Sequence, residues 1–179
     1  MIELQRKYPK EVERILAKYP PEFKQSAVMP LLYLAQREDG KVSRQAVADI
    51  AALIGISVTD VTSVLGFYTL FHEEGGRYFI QVCTDLPCAL CGAETFLHQV
   101  CDALNIQPGE TTPDGIFTVE EVKCIAACDK APVFQVQGDG EITYHEHQTL
   151  ESALKIFEEL KVRVSVKAKT EKLTPKDVV

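Results

Sequence analysis

Residues 78–88 read YFIQVCTDLPC and residues 117–128 read FTVEEVKCIAAC. Each begins as a short run of apolar and β-branched residues and ends on a pair of cysteines. The first run predicts a strand over 78–82 that passes directly into Cys83, and the second a strand over 117–122 that leads into Cys124. Between them Ala93, Phe96, Leu97, Val100 and Leu104 recur at helical spacing, and Pro108-Gly109 and Pro113-Asp114-Gly115 punctuate the return. Beyond the second pair, 133–136 and 141–144 flank Gly138-Asp139-Gly140, a hairpin pattern, and Leu150, Ala153, Leu154 and Phe157 mark a closing helix. The resulting order, β-α-β-β-β-α, is that of a thioredoxin-like sheet with helices packed on it.

Upstream of Gly75-Gly76 the periodicity is helical. Val12, Ile15 and Leu16 share a face, with Pro9 suited to a helix start and Tyr19-Pro20-Pro21 to a stop. A second helix is expected over 23–38, with Val28, Leu31, Leu32 and Ala35 inward, Pro30 as a kink and Gly40 past its end. Ser43 suits the cap of a third helix carrying Val47, Ile50, Ala51 and Ile54, and Ser57 that of a fourth carrying Val61, Val64, Leu65 and Tyr68. The fold expected is therefore α+β: an N-terminal helical bundle over 1–75, a thioredoxin-like domain over 76–162, and a basic tail over 163–179.

The chain has 179 residues, is 46% hydrophobic and carries a formal charge of −7, enough apolar content for a real core. Its charge is unevenly spread. Residues 76–160 hold 14 acids against 4 Lys or Arg, and residues 161–179 hold 2 acids against 6. An acidic body argues against nucleic acid as a partner. No stretch approaches the roughly 20 apolar residues of a membrane span. The opening MIELQRKYPKEVER is charged where a signal peptide is apolar, so a cytoplasmic location is expected. No Gly-x-Gly-x-x-Gly or Gly-x4-Gly-Lys-Ser/Thr fingerprint is present, so no nucleotide site is expected in this chain.

Six cysteines in a reducing compartment point to metal binding or thiol chemistry rather than structural disulfides. Cys83-x4-Cys88 and Cys124-x3-Cys128 sit at two strand ends expected in one sheet, so their loops can converge. Two thiolates from each loop complete a 2Fe-2S cluster, two on each iron. Small residues around them (Pro87, Ala89, Gly92, Ala126, Ala127) leave room for sulfides and for backbone N–H groups to approach the sulfurs. Three rival readings stay open. Four cysteines in two pairs also suit structural zinc. Cys88-Ala89-Leu90-Cys91 before a helix suits a dithiol reductase. Cys83-x4-Cys88-x2-Cys91 matches plant-type ferredoxin spacing, although Cys128 is preferred to Cys91 because residues from Gly92 onward read as helix. Cys91 and Cys101 then read as packed thiols, and His72, His98, His145 and His147 as surface or packing residues.

The pattern Cys-x4-Cys, 35 residues, Cys-x3-Cys resembles the family of the small thioredoxin-like 2Fe-2S subunit of bacterial NADH-quinone oxidoreductase, respiratory complex I. Thr112-Pro113-Asp114-Gly115-Ile116-Phe117 and Ala131-Pro132-Val133 look like its signature segments, and Met29-Pro30-Leu31-Leu32 and Gly66-Phe67-Tyr68 like its helical portion. The sequence departs from that family at Cys91 and Ile125-Ala126, where a small residue and a leucine-glycine pair are expected. The resemblance implies a one-electron carrier with one 2Fe-2S cluster on Cys83, Cys88, Cys124 and Cys128. It implies that FMN and NADH sit on a larger partner subunit with a 4Fe-4S cluster, within the peripheral arm of a complex bound to the inner membrane, and that this chain has no span of its own. The equivalent subunit of a soluble NAD-linked hydrogenase or formate dehydrogenase resembles the same module.

Overall fold

A computed structural model describes residues 3–37 and 39–173. The chain divides into two compact units: Met1–Phe79 with Gln137–Ile142, and Ile80–Val136 with Thr143–Val179.

The first unit contains α1 (Glu3–Lys7), α2 (Pro9–Leu16), a 3₁₀ segment (Pro21–Ala27), α3 (Val28–Gln36), α4 (Arg44–Ile54) and α5 (Val58–Phe67). Local chemistry starts two of these helices. Ser43 Oγ accepts from Ala46 N at 3.1 Å at the head of α4. At the head of α5 Ser57 and Asp60 form a reciprocal capping box. The Ser57 hydroxyl and backbone N–H hold the Asp60 carboxyl below its ordinary value. Val12, Leu31, Leu32, Ile50 and Val61 from four of these helices lie in one buried cluster. Apolar burial is what holds such short helices together, each fully buried aliphatic side chain contributing about 2 kcal/mol.

Three local expectations change. Residues 23–38 do not form one kinked helix. The non-helical residue is Phe23, with φ of −119°. A 3₁₀ segment leads into the α-helix, which starts at Val28, and Pro30 lies in the first turn of α3, where its missing N–H costs nothing. Tyr68 falls outside α5 in extended conformation and is exposed. The short, mostly polar α1 was not expected. It is anchored by Leu4, whose N–H donates at 3.0 Å to Asp49 Oδ2 on α4 while Gln45 Nε2 donates to Asp49 Oδ1 at 2.8 Å. A buried carboxylate with both oxygens paired is tolerated.

The sheet has strand order β2-β1-β3-β4, from β1 (Tyr78–Cys83), β2 (Phe117–Val122), β3 (Phe134–Gly138) and β4 (Glu141–His145). Every residue of the interior strand β1 is buried, a continuous run rather than an alternation. The edge strand β4 is largely exposed. In the second unit α6 (Leu86–Leu90) and α7 (Ala93–Leu104) follow β1, and α8 (Leu150–Leu173) closes the chain. Phe157 of α8 packs on Phe117 and Phe134 with ring centroids 5.3 and 5.9 Å apart.

The expected units are 1–75 and 76–162 with a tail over 163–179; the two compact units divide after Phe79, and α8 runs from Leu150 to Leu173. Gly75 lies in a bend shortly before β1. Tyr78 donates to Asp139 Oδ2 at 2.6 Å and Phe79 stacks on His72 at 3.5 Å, so the start of β1 and the tip of the β3–β4 hairpin belong with the first unit. Helix α8 continues through Leu173 because nothing in 163–173 breaks it: there is no Gly or Pro before Pro175. Residues 174–179 of the expected tail lie outside the described residues. Among the described residues no single helix is long and apolar enough to cross a membrane.

Candidate metal centre

Cys83 is the last residue of β1, held there by its N–H to Val133 O at 3.3 Å. Asp85 precedes α6, Pro87 sits in its first turn, and Cys88 turns inward from its middle, wholly buried. Cys124 and Cys128 lie on the segment after β2, both exposed. That segment doubles back sharply: Cys124 and Ala126 both take left-handed conformations, with φ of 58° and 59°. Cys128 then opens a single 3₁₀ turn, Cys128–Lys130, whose Lys130 N–H donates to Ala127 O at 3.0 Å. Buried Cys83, Cys88, Ala93 and Val133 form a small apolar floor, against which Ile125, Ala127 and Ala131 pack.

The segments that bear the four expected ligands meet: Ile125 and Ala127, between Cys124 and Cys128, pack against the cluster that holds Cys83 and Cys88. The Cys83 and Cys88 side chains act on each other, and Cys124 acts on Cys128. Cys88 and Cys128 act on each other electrostatically, as do Cys83 and Cys128. Burial pushes the Cys88 thiol up, reinforced by the Cys83 contact and by Cys128 and Cys91, to about 12. Burial also acts to raise Cys83, but there the backbone N–H groups of Asp85, Ile125 and Cys124 outweigh it and hold the thiol below its ordinary value. Burial, then Cys124, Cys83 and Asp85, raise Cys128. Three N–H donors on one sulfur favour its thiolate, the form that binds iron.

Among the described residues no three His, Cys, Asp or Glu side chains are arranged around one metal-ion position. A single zinc requires all four sulfurs at about 2.3 Å from one ion. A two-iron core requires two sulfurs at each iron, and two linked pairs fit that demand. Cys91 is exposed just after α6, not packed as expected, and acts on Cys88 electrostatically. Cys101 is buried in α7, where burial and then Asp102 and Glu110 push its thiol up to about 11, as suits a packed thiol.

Sequence reasoning missed the brace beneath these loops. Thr84, next to Cys83, and Lys123, next to Cys124, both bond to Glu121: Thr84 Oγ1 donates to Glu121 Oε1, and Lys123 Nζ donates to Thr84 Oγ1 at 2.9 Å and to Glu121 Oε1. Lys123, then Thr84, hold the Glu121 carboxyl below its ordinary value. The signal available was weak: a Thr and a Lys, each beside a cysteine. Two of the histidines have aromatic packing partners. His72 stacks on Phe79, and His145 lies on Phe134 with centroids 4.9 Å apart.

The family model of the thioredoxin-like [2Fe-2S] ferredoxins matches residues 12–161. The chain belongs to this family. Among relatives, it is 40% identical over 144 residues to NADH-quinone oxidoreductase subunit 2 of Thermus thermophilus, covering 80% of each chain. The mitochondrial NADH dehydrogenase [ubiquinone] flavoprotein 2 of Dictyostelium discoideum is 40% identical over 153 residues, with 84% of this chain and 60% of that one covered. A solved NAD+-reducing [NiFe]-hydrogenase shares the fold, with TM-score 0.63 at 20% identity over 76% of this chain and 23% of that one. Membership in the thioredoxin-like ferredoxins supports one 2Fe-2S cluster as the cofactor, and the paired thiols with their N–H donors are a donor set suited to it.

Proposed function

We propose that this chain is the one-electron carrier subunit of an NADH-quinone oxidoreductase, with Cys83, Cys88, Cys124 and Cys128 as the ligands of its cluster. The observation that supports the reading is the meeting of two loops from separate strand ends: Ile125 and Ala127 of the second pack against the cluster of Cys83 and Cys88, and Cys128 acts on both of those thiols. When bound, a 2Fe-2S cluster supplies one-electron redox chemistry. The residues of this chain set its surroundings. Asp85, Ile125 and Cys124 direct N–H groups at the Cys83 sulfur, and such donors favour the more negative, reduced state. The carboxylates of Asp85, which acts on Cys128, and of Asp129, next to it in the chain, work in the opposite sense.

The exposed Cys124 and Cys128 mark the face through which electrons pass. Leu86 and Leu90, 70% and 81% exposed, stand one turn apart on α6 beside it, an apolar patch of the kind found at the centre of a protein interface. We assign this face to the larger FMN- and NADH-binding partner with its 4Fe-4S cluster, and the helices of residues 1–75 to a bundle that docks within the peripheral arm at the inner membrane. The relatives at about 40% identity are NADH dehydrogenase subunits, whereas the hydrogenase is related at 20%. That difference favours the NADH-quinone complex over a soluble hydrogenase or formate dehydrogenase.

Iron, acid-labile sulfide and EPR of the dithionite-reduced chain test the reading. Cys128→Ala and Cys124→Ala should abolish the signal, while Cys91→Ala and Cys101→Ala should retain it. An unchanged spectrum in Cys128→Ala would overturn the ligand set, and a colourless zinc protein would overturn the function.

A further inference from the structure

The first unit carries a cleft of about 390 Å³ that is unconnected with the cysteines. Its walls are the faces of α2 and α3 that bear Ile15, Tyr33 and Leu34, and the hairpin tip with Ile142. The cleft is built rather than incidental. Buried Gln36 of α3 and Gln137 of the hairpin both donate to Leu70 O, at 2.8 and 2.6 Å, tying two walls to one carbonyl. Gln36 Oε1 accepts from His72 N at 2.8 Å. Arg37 lies across Gly140 so closely that a Cβ there would stand 2.7 Å from its Cγ. Its guanidinium sits over the Tyr8 ring and 3.7 Å from Glu11. The walls are therefore preformed, which lowers the ordering cost of whatever binds.

The lining carries three cations, Arg14, Lys18 and Arg37, against two carboxylates, Glu11 and Glu141, a small balance of opposite sign to that of the molecule. In a chain of net charge −7, Arg14 and Lys18 stand on the rim, one helical turn apart on the α2 side. Among the described residues neither is ion-paired, whereas Arg37 has Glu11. Tyr33 and Ile142 remain 43% and 40% exposed on the walls. A small molecule seated against such open walls would keep much of its own surface in water, unlike a ligand in an enclosed pocket. A chain segment covers the walls and reaches the rim together.

We propose that this cleft is a docking site, distinct from the cysteine face, for an apolar peptide segment of a neighbouring subunit that carries a carboxylate. Its apolar side chains fill the space between Ile15, Tyr33, Leu34 and Ile142, and its carboxylate lies against Arg14 and Lys18. Complementary charge at the rim steers association and fixes register, while the buried apolar anchors supply the affinity.

The test places a photo-crosslinking p-benzoylphenylalanine at Tyr33 in the full chain within its assembled complex, with the same label at exposed Phe23 as control. The expected product is a crosslink from position 33 to another subunit, at a peptide holding apolar residues and an Asp or Glu. Arg14→Glu with Lys18→Glu should lower its yield roughly tenfold without changing the reduced EPR signal, which reports the cluster separately. No crosslink above the Phe23 control, a crosslink to a second copy or to this chain itself, or a yield indifferent to the charge reversal would each overturn the proposal. So would a rise in melting temperature of the isolated chain with octanoate that Arg14→Glu abolishes, since that would make the cleft a small-anion site.

Discussion

Thr84 Oγ1 donates to Glu121 Oε1 at 2.5 Å, joining the residue after Cys83 to the strand that delivers Cys124. Thr84 is 4% exposed, while its partners Glu121 and Lys123 stay open to solvent. The bond ties together the two loops whose sulfurs meet, although neither residue is a proposed ligand.

Thr84→Val keeps the shape and removes the brace. It should destabilise the chain by about 1 to 2 kcal/mol, because Glu121 and Lys123 lose a shared partner. Visible absorbance should decay faster under an iron chelator, and Thr84→Ser should restore the original rate. Identical decay of the Val variant and the original would remove Thr84 from any role in holding the loops.

Ala126 takes φ of 59°, a conformation that costs an L-residue about 1 kcal/mol and glycine almost nothing. Ala126→Gly should therefore raise the melting temperature by a few degrees, and Ala126→Val should lower it, with iron content unchanged in both. Lower stability in the glycine variant would mean that the methyl group itself contributes packing.

Gly40 combines φ of 72° with no space: an added Cβ would lie 2.5 Å from Arg77 O and 2.9 Å from Gly76 O, both backbone atoms unable to swing aside. Gly40→Ala should lower stability by about 2 to 4 kcal/mol in chemical denaturation, well beyond an ordinary surface change. A midpoint within error of the original chain would contradict the close approach.

Burial, and then Arg163, hold His145 below its ordinary 6.5, with Glu159 opposing. The unfolded chain thus takes up a proton near that pH that the folded chain refuses. The resulting stability is fully present above 6.5 and is lost as pH falls through the folded value. Melting temperatures compared at about pH 8 and about pH 5.5 should show a smaller drop in His145→Phe than in the original chain. Equal drops would assign the acid sensitivity to other groups.

Much of the fold is legible in local pattern. Ser43 and Ser57 announce the heads of α4 and α5, since a hydroxyl before an apolar stripe satisfies orphan N–H groups using neighbours only a few residues away. The stripes Val47, Ile50, Ala51, Ile54 and Ala93, Phe96, Leu97, Val100 lie buried, as their period requires. What fails depends on distant partners. Helix α1 owes its place to Asp49 on α4. The start of β1 packs with residues on both sides of it in sequence, Asp139 and His72, a grouping that no local pattern carries.

The spacing of four cysteines and the alternation of strand and helix are properties of the linear chain, and by themselves they point to a thioredoxin-like ferredoxin. Which N–H groups face Cys83, the left-handed turns at Cys124 and Ala126, the Thr84–Glu121 brace and the basic-rimmed cleft are decided only in the folded chain. The reason is physical: hydrophobic period and capping act over one or two turns. The sign of a φ angle and the meeting of two loops are set instead by long-range packing that no local propensity encodes.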